Sequence, residues 1–280
     1  MTLQQKIDNG IKLIQAAGEM AASHGQPLEI CYSGGKDSDV ILELARMSGV
    51  NYKAIYKNTT IDPPGTERHA KDNGVEVRMP KMSFKKIVEK RGLPGRMRRM
   101  CCEILKEYKI MDYAVVGVRK DESKARAERY DEPEQCRVYP NKEKSRLYYP
   151  LLEWTATDVA AFVAARGIKC HPLYYDEQGR FHAERRLGCM GCPLVSTKKR
   201  IEEFKRYPGM VRLYVKAAQV FFDNHPDSKM REYINDACEW FVMSLYCNSK
   251  SDFEQRFGSS LFGRTDCKAF LEEQFNIKLF

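Results

Sequence analysis

The stretch C-Y-S-G-G-K-D-S-D-V, Cys31 to Val40, decides the reading of this chain. Just before it, P-L-E-I-C-Y-S has a short apolar centre rich in β-formers, the pattern of a buried strand. Just after it, D-S-D-V-I-L-E-L-A-R-M-S-G has helical apolar spacing and ends at Gly49, a C-cap signal. Strand, small polar loop, helix: this order aims backbone N–H groups and a helix N-terminus at one point, and both favour an anion. Gly34 and Gly35 let the backbone approach a ligand closely. Lys36 adds a point charge, and Ser33 and Ser38 add hydroxyl donors. Asp37 is odd for a pure anion site but suits Mg²⁺, which is usually held by one or two carboxylates plus phosphates. The loop is not the usual G-x-x-x-x-G-K-S/T phosphate loop. A sharp turn with no ligand is the competing reading.

Outward from the loop, strand and helix signals alternate. Residues 3–24 predict a helix. Y-K-A-I-Y-K-N predicts a second strand, closed by the turn-rich N-T-T-I-D-P-P-G-T. T-E-R-H-A-K-D-N-G predicts a helix ending at Gly74, and V-E-V-R-M-P a third strand. S-F-K-K-I-V-E-K-R-G predicts a helix with Ser83 as N-cap. Y-A-V-V-G-V-R predicts another strand, and T-A-T-D-V-A-A-F-V-A-A-R-G-I a helix opened by Thr155 or Thr157. Such alternation predicts an α/β fold with a doubly wound, mainly parallel sheet. Ligands in these sheets sit at the carboxyl ends of the strands, where the Cys31–Val40 loop lies. Past about residue 200 the pattern turns helical. The expectation is a nucleotide-binding α/β domain over 1–200 and a C-terminal helical region over 201–280.

The chain has 280 residues, 43% hydrophobic and 30% charged, enough for a sizeable core. No apolar run approaches the ~20 residues of a membrane helix, and the first twenty residues read as an amphipathic helix rather than a signal peptide. A soluble, cytoplasmic protein without membrane attachment is the expectation. A formal charge of +9 favours polyanionic partners such as nucleic acid or nucleotides, or else serves solubility. Ten cysteines in a long chain read as metal ligands, catalytic groups or buried thiols rather than as a disulfide framework.

Further blocks carry a family resemblance. S-G-G-K-D-S resembles the PP-loop signature of the ATP pyrophosphatase superfamily, whose members bind ATP or an adenylyl nucleotide and often cleave between the α and β phosphates. N-T-T-I-D-P-P-G-T-E-R-H-A, R-R-M-C-C-E-I-L-K, V-V-G-V-R-K-D-E-S-K-A-R, Y-Y-P-L-L-E-W-T-A-T-D-V-A-A-F-V and H-P-L-Y-Y-D-E-Q-G-R-F-H-A-E-R-R-L-G-C-M-G-C-P are similar, in order, to segments of phosphoadenosine phosphosulfate (PAPS) reductases and their relatives, over about residues 28–195. The resemblance implies an adenine nucleotide alpha hydrolase-like fold. It assigns nucleotide binding to Ser33, Gly34, Gly35, Lys36, Asp37, Ser38, Thr59, Gly117, Arg119 and Arg126, and catalysis to Lys36, Asp37 and Arg119. Without it, Gly117 merely ends a strand, Asp121 and Glu122 form a solvated turn, and the arginines are surface charges.

Cys101–Cys102 and Cys189–Cys192 stand out among the cysteines. Four thiolates suit Zn²⁺ or a 4Fe–4S cluster, and spacing alone does not choose; buried free thiols are the third reading. Resemblance favours the cluster, as in adenylylsulfate (APS) reductases and the ATP pyrophosphatases of DNA phosphorothioation. Cys267 sits near the C-terminus, as the reductases' nucleophile does, but lacks their Glu-Cys-Gly-Leu/Ile-His context and reads as a plain helix cysteine. His171 and His182 read as structural or surface groups.

The expected function is an ATP pyrophosphatase that carries a 4Fe–4S cluster and adenylates a substrate, such as nucleic acid, for sulfur transfer. ATP and Mg²⁺ are the other expected cofactors. A sulfur-donor protein such as a cysteine desulfurase, and a second copy of the chain, are expected partners. Two alternatives are an APS or PAPS reductase that releases sulfite, and a non-enzymatic nucleotide- and cluster-binding subunit.

Overall fold

The computed structural model describes residues 1–260 and 263–280. Along the chain run α1 (Leu3–Ser23), β1 (Leu28–Tyr32), α2 (Lys36–Ser48), β2 (Tyr52–Lys57), α3 (Thr66–Asp72), β3 (Glu76–Arg78), α4 (Phe84–Arg91), α5 (Met100–Leu105), β4 (Tyr113–Val115), α6 (Lys124–Arg129), β5 (Glu134–Val138), β6 (Lys144–Tyr148) and α7 (Ala156–Arg166). Then follow α8 (Thr197–Arg206), α9 (Pro208–Asn224), α10 (Ala237–Tyr246), α11 (Lys250–Phe257), the two-residue strands β7 (Ser259–Ser260) and β8 (Gly263–Arg264), and α12 (Cys267–Phe275). The expected C-terminal helical region is present. No helix among the described residues is long and apolar enough to cross a membrane.

The described residues form two compact units. The first comprises Met1–Asn58, Asp62–Met79 and Glu107–Gly188; the second comprises Thr59–Ile61, Pro80–Lys106 and Cys189–Phe280. The units therefore interleave along the chain rather than dividing once near residue 200.

The first unit holds a six-stranded sheet in the order β3-β2-β1-β4-β6-β5. Neighbours are parallel except β5, which runs antiparallel to β6 at the edge. β1 is buried at four of five positions, as expected for a central strand covered on both faces. Strand order reverses between β1 and β4, so the crevice beyond their carboxyl ends is the position where open α/β sheets take ligands. The core joins Leu28 and Ile30 of β1 to Ile14 and Ala17 of α1, Ile41 and Leu44 of α2, and Trp154 and Phe162.

Local signals set the helix limits. α2 stops at Gly49, whose φ of 72° a glycine adopts without strain. Ser83 caps α4 by accepting from the Lys86 amide. α7 starts at Thr155, not Thr157, because Thr155 and Asp158 form a reciprocal capping box.

The second unit is helical and packs an aromatic core of Phe84, Phe204, Tyr214, Phe241 and Phe253, with Leu271. Gly191, at φ 69°, lies so close to the Phe204 ring that a Cβ there has no room.

Candidate functional site

β1 ends at Tyr32 and the chain turns at Ser33–Gly35 into α2. Gly34 has φ 75°, and a Cβ on it would lie 2.5 Å from the Thr66 methyl. Thr66 is buried and fixed, its hydroxyl donating to the Pro63 carbonyl at 2.8 Å. Gly35 is the N-cap of α2, and no side chain caps that helix. A helix that starts without a capping side chain leaves its first amides available to an anion. Ser38 ties the turn by donating to the Gly35 carbonyl at 2.6 Å, and Ser33 accepts from the Gly35 amide at 3.4 Å.

Two buried cations converge on Asp37. Lys36, 2% exposed, places Nζ 2.9 Å from Asp37 Oδ2 and 5.4 Å from the centre of the Tyr174 ring. Arg119, 3% exposed, donates Nε to Asp37 Oδ1 at 2.7 Å. Arg119 is aimed by two further acceptors on Nη1, Asp121 Oδ2 at 3.1 Å and the Trp154 carbonyl at 3.3 Å. Asp121 in turn accepts from the Ala156 amide, which anchors it to the first turn of α7. Gly117 packs closely under Asp37: a Cβ on it would meet the Asp37 carbonyl at 3.3 Å, tighter than an ordinary van der Waals contact. Burial lowers the Lys36 pKa, with Asp37 opposing that shift. The site therefore holds a cation it has dehydrated, and an arriving anion would relieve that cost.

Arg126 stands one layer further out. It pairs with Glu122, whose other oxygen takes Arg186 at 2.7 Å, and burial together with the Arg186 charge lowers its pKa. Asp121 and Glu122 thus hold arginines in place rather than forming a solvated turn. Of the residues expected at the site, Ser33, Gly34, Gly35, Lys36, Asp37, Ser38, Gly117 and Arg119 come together, with Arg126 behind them. Thr59 belongs to the second unit, where it is buried and its hydroxyl lies 3.5 Å from Cys189 Sγ.

Sequence reasoning missed the layer beneath the loop. Asp39 is buried, and its Oδ1 accepts from the Tyr32 hydroxyl at 2.5 Å and meets His69 Nε2 at 3.0 Å. Burial raises the Asp39 pKa, and the hydrogen bond from His69 opposes the rise. His171 is also buried, accepts from the Leu173 amide at 3.2 Å, and sits edge-on to His69 with ring centres 5.8 Å apart. His182 bonds Asp176 and Glu184. Both histidines thus hold structural places.

The metal expectations do not survive. Among the described residues, no group of three or more His, Cys, Asp or Glu side chains is placed to hold a metal ion. Cys101 and Cys102 are consecutive on α5 and hydrogen-bonded to each other, a contact that pushes the Cys101 thiol up and the Cys102 thiol down to about 6. The Cys189 thiol is turned to the Thr59 hydroxyl. With no metal-holding group among the described residues, the 4Fe–4S cluster expected on Cys101, Cys102, Cys189 and Cys192 has no site to hold it, and the assignment to an iron–sulfur branch falls with it. Asp37 does not fit the Mg²⁺ role either, because Lys36 and Arg119 engage both of its oxygens. Among the described residues no disulfide joins any of the ten cysteines. Cys267 is buried at the start of α12, and burial pushes its thiol up to about 12, which suits a packed helix cysteine and not an attacking thiolate.

The model of the phosphoadenosine phosphosulfate reductase domain family matches residues 27–195. Two uncharacterised proteins of Methanocaldococcus jannaschii are 25% and 24% identical over 225 and 216 residues, covering 75% and 71% of this chain but only 52% and 43% of their own. The chain thus spans about half the length of these relatives. Sulfate adenylyltransferase subunit 2 of Shewanella frigidimarina is 28% identical over 215 residues, 62% of this chain and 67% of its own. Among solved structures, the PAPS reductase of Candida auris in a phosphate complex aligns with 68% of this chain and 96% of its own, at 17% identity and a TM-score of 0.44.

Proposed function

Because this chain belongs to the phosphoadenosine phosphosulfate reductase domain family, we propose that it is an adenine-nucleotide enzyme acting at the α-phosphate, splitting ATP into an adenylyl group and pyrophosphate. The observation that carries this reading is the convergence of buried Lys36 and Arg119 on the uncapped start of α2. In the reaction an acceptor oxygen attacks the α-phosphorus. The bond from that phosphorus to the bridging oxygen breaks, and its electron pair leaves with pyrophosphate. Charge grows on the departing phosphates, and catalysis here is stabilisation of that charge. Loop amides at 34–38 take non-bridging oxygens, Lys36 supplies a dehydrated positive charge, and Arg119 supplies a second buried positive charge beside it. Tyr174 seats Lys36, and Asp121 and the Trp154 carbonyl aim Arg119. The relative named as a sulfate adenylyltransferase subunit supports adenylyl transfer as the reaction class.

The test uses ATP labelled at the α or γ position. Formation of AMP and pyrophosphate, lost in Lys36→Ala, supports the reading. Formation of ADP and phosphate, or turnover that Lys36→Ala leaves intact, overturns it.

A further inference from the structure

Much of the net positive charge of this chain is carried by one segment. Residues 80–106 carry nine Lys or Arg against two Glu, a net charge of +7 against +9 for the whole chain. Charge recruited for solubility would be spread over the surface; this is concentrated. All nine basic residues, Lys81, Lys85, Lys86, Lys90, Arg91, Arg96, Arg98, Arg99 and Lys106, are exposed. Of the two acids, Glu89 is buried against Lys85 and Lys86. Lys81, Lys90, Arg91, Arg96 and Arg98 make no ion pair among the described residues.

The segment is also shaped to present this charge. The Gly95 and Arg98 amides each donate to the other's carbonyl at 3.2 Å, closing a tight turn with Arg96 and Met97 at its tip. Met97 is 98% exposed. Arg96 Nε donates to the Pro193 carbonyl at 3.2 Å, which sets the turn beside Leu194, 50% exposed, and the chain leading into α8 with Lys198 and Lys199. The result is a rim of arginine and lysine around two exposed apolar side chains.

We propose that this surface binds nucleic acid, its arginines and lysines on the phosphodiester backbone and Met97 against the bases. Arginine matches phosphate oxygens in pairs, and apolar side chains beside such contacts pack against or between bases. A membrane occupant is disfavoured because α4 keeps its apolar face, Phe84, Ile87 and Val88, inside the core and offers lipid no amphipathic surface. The proposal goes beyond the adenylyl chemistry and does not depend on it.

The test is fluorescence anisotropy of labelled single-stranded and duplex oligonucleotides of about 20 nucleotides with the full chain, without ATP, across a salt series. The expected result is binding at about 50 mM salt that weakens as a steep power of salt. Arg91→Glu with Arg98→Glu should weaken it at least about tenfold and flatten the salt slope by roughly 0.7–0.9 for each phosphate no longer neutralised. Met97→Ser should weaken it with the slope unchanged. Circular dichroism melts of these exposed variants should overlay that of the parent. No binding at low salt, or full affinity in the double charge reversal, overturns the proposal. So does binding of anionic lipid vesicles or polyglutamate, lost in the same variant, where oligonucleotides do not bind. Pyrophosphate release from ATP is read separately, so either reading can fail alone.

Discussion

Replacing Gly34 by alanine tests the geometry of the loop, because its cost separates into two parts. The first is conformational: at φ 75° an L-residue with a Cβ is strained by about 1–2 kcal/mol. The second is steric. The new Cβ would lie 2.5 Å from the Thr66 methyl, well inside the ~3.5–4.0 Å of an ordinary carbon–carbon approach. Thr66 is buried and its hydroxyl is bonded to Pro63, so the methyl cannot swing away without losing that bond. Overpacking of this kind costs about 1–3 kcal/mol, and the two parts sum to roughly 2–5 kcal/mol. Thr66→Ser keeps the hydroxyl and deletes the offending carbon. By itself it should cost about 1 kcal/mol for one buried methyl. In the Thr66→Ser background the further cost of Gly34→Ala should shrink to the conformational part alone. The assay is urea unfolding of the four proteins followed by far-ultraviolet circular dichroism, with calorimetric titration of ATP on each. Additive costs in the double variant would refute the packing argument, and a Gly34→Ala protein as stable as the parent would refute the loop geometry altogether.

Three further outcomes follow from the site. Asp37→Asn should destabilise the ligand-free protein by about 3–5 kcal/mol, since it leaves Lys36 and Arg119 buried without their shared carboxylate; pyrophosphate should raise its melting temperature by more than it raises the parent's. Arg119→Lys should lose most of the activity despite keeping the charge, because lysine cannot bridge Asp37, Asp121 and the Trp154 carbonyl together. The His171 pKa is lowered, by burial first and by His69 second, so the unfolded chain binds the extra proton sooner as pH falls. Its contribution therefore raises stability with rising pH through a window whose upper end is the ordinary histidine value near 6.5; melts between about pH 5 and 7.5 should show a shallower acid loss in His171→Asn than in the parent.

What the sequence discloses depends on the range of the interaction. The loop at 33–38 was legible because its signals are local: two glycines, a lysine and serines between a strand and a helix. The central strands were legible for the same reason, being continuous apolar runs. The β5–β6 hairpin was not, because most of β5 is exposed and carries no alternation to detect. Asp39 reads as an ordinary acid in the first turn of a helix; its role depends on His69, thirty residues on, and on Tyr32 below it. The cysteines misled because spacing reports proximity along the chain and not whether the side chains are placed to hold a metal, and among the described residues no such group forms. The interleaving of the two units depends on packing between segments far apart in sequence, which periodicity does not register.

The most direct test of the phosphate cradle is a crystal structure of the protein with a non-hydrolysable ATP analogue. The account predicts phosphate oxygens about 3 Å from the amides of residues 34–38 and from Lys36 Nζ, with Asp37 displaced from at least one of its two cations. An ordered analogue bound elsewhere, with the turn empty and the Lys36–Asp37–Arg119 bridge intact, would contradict it.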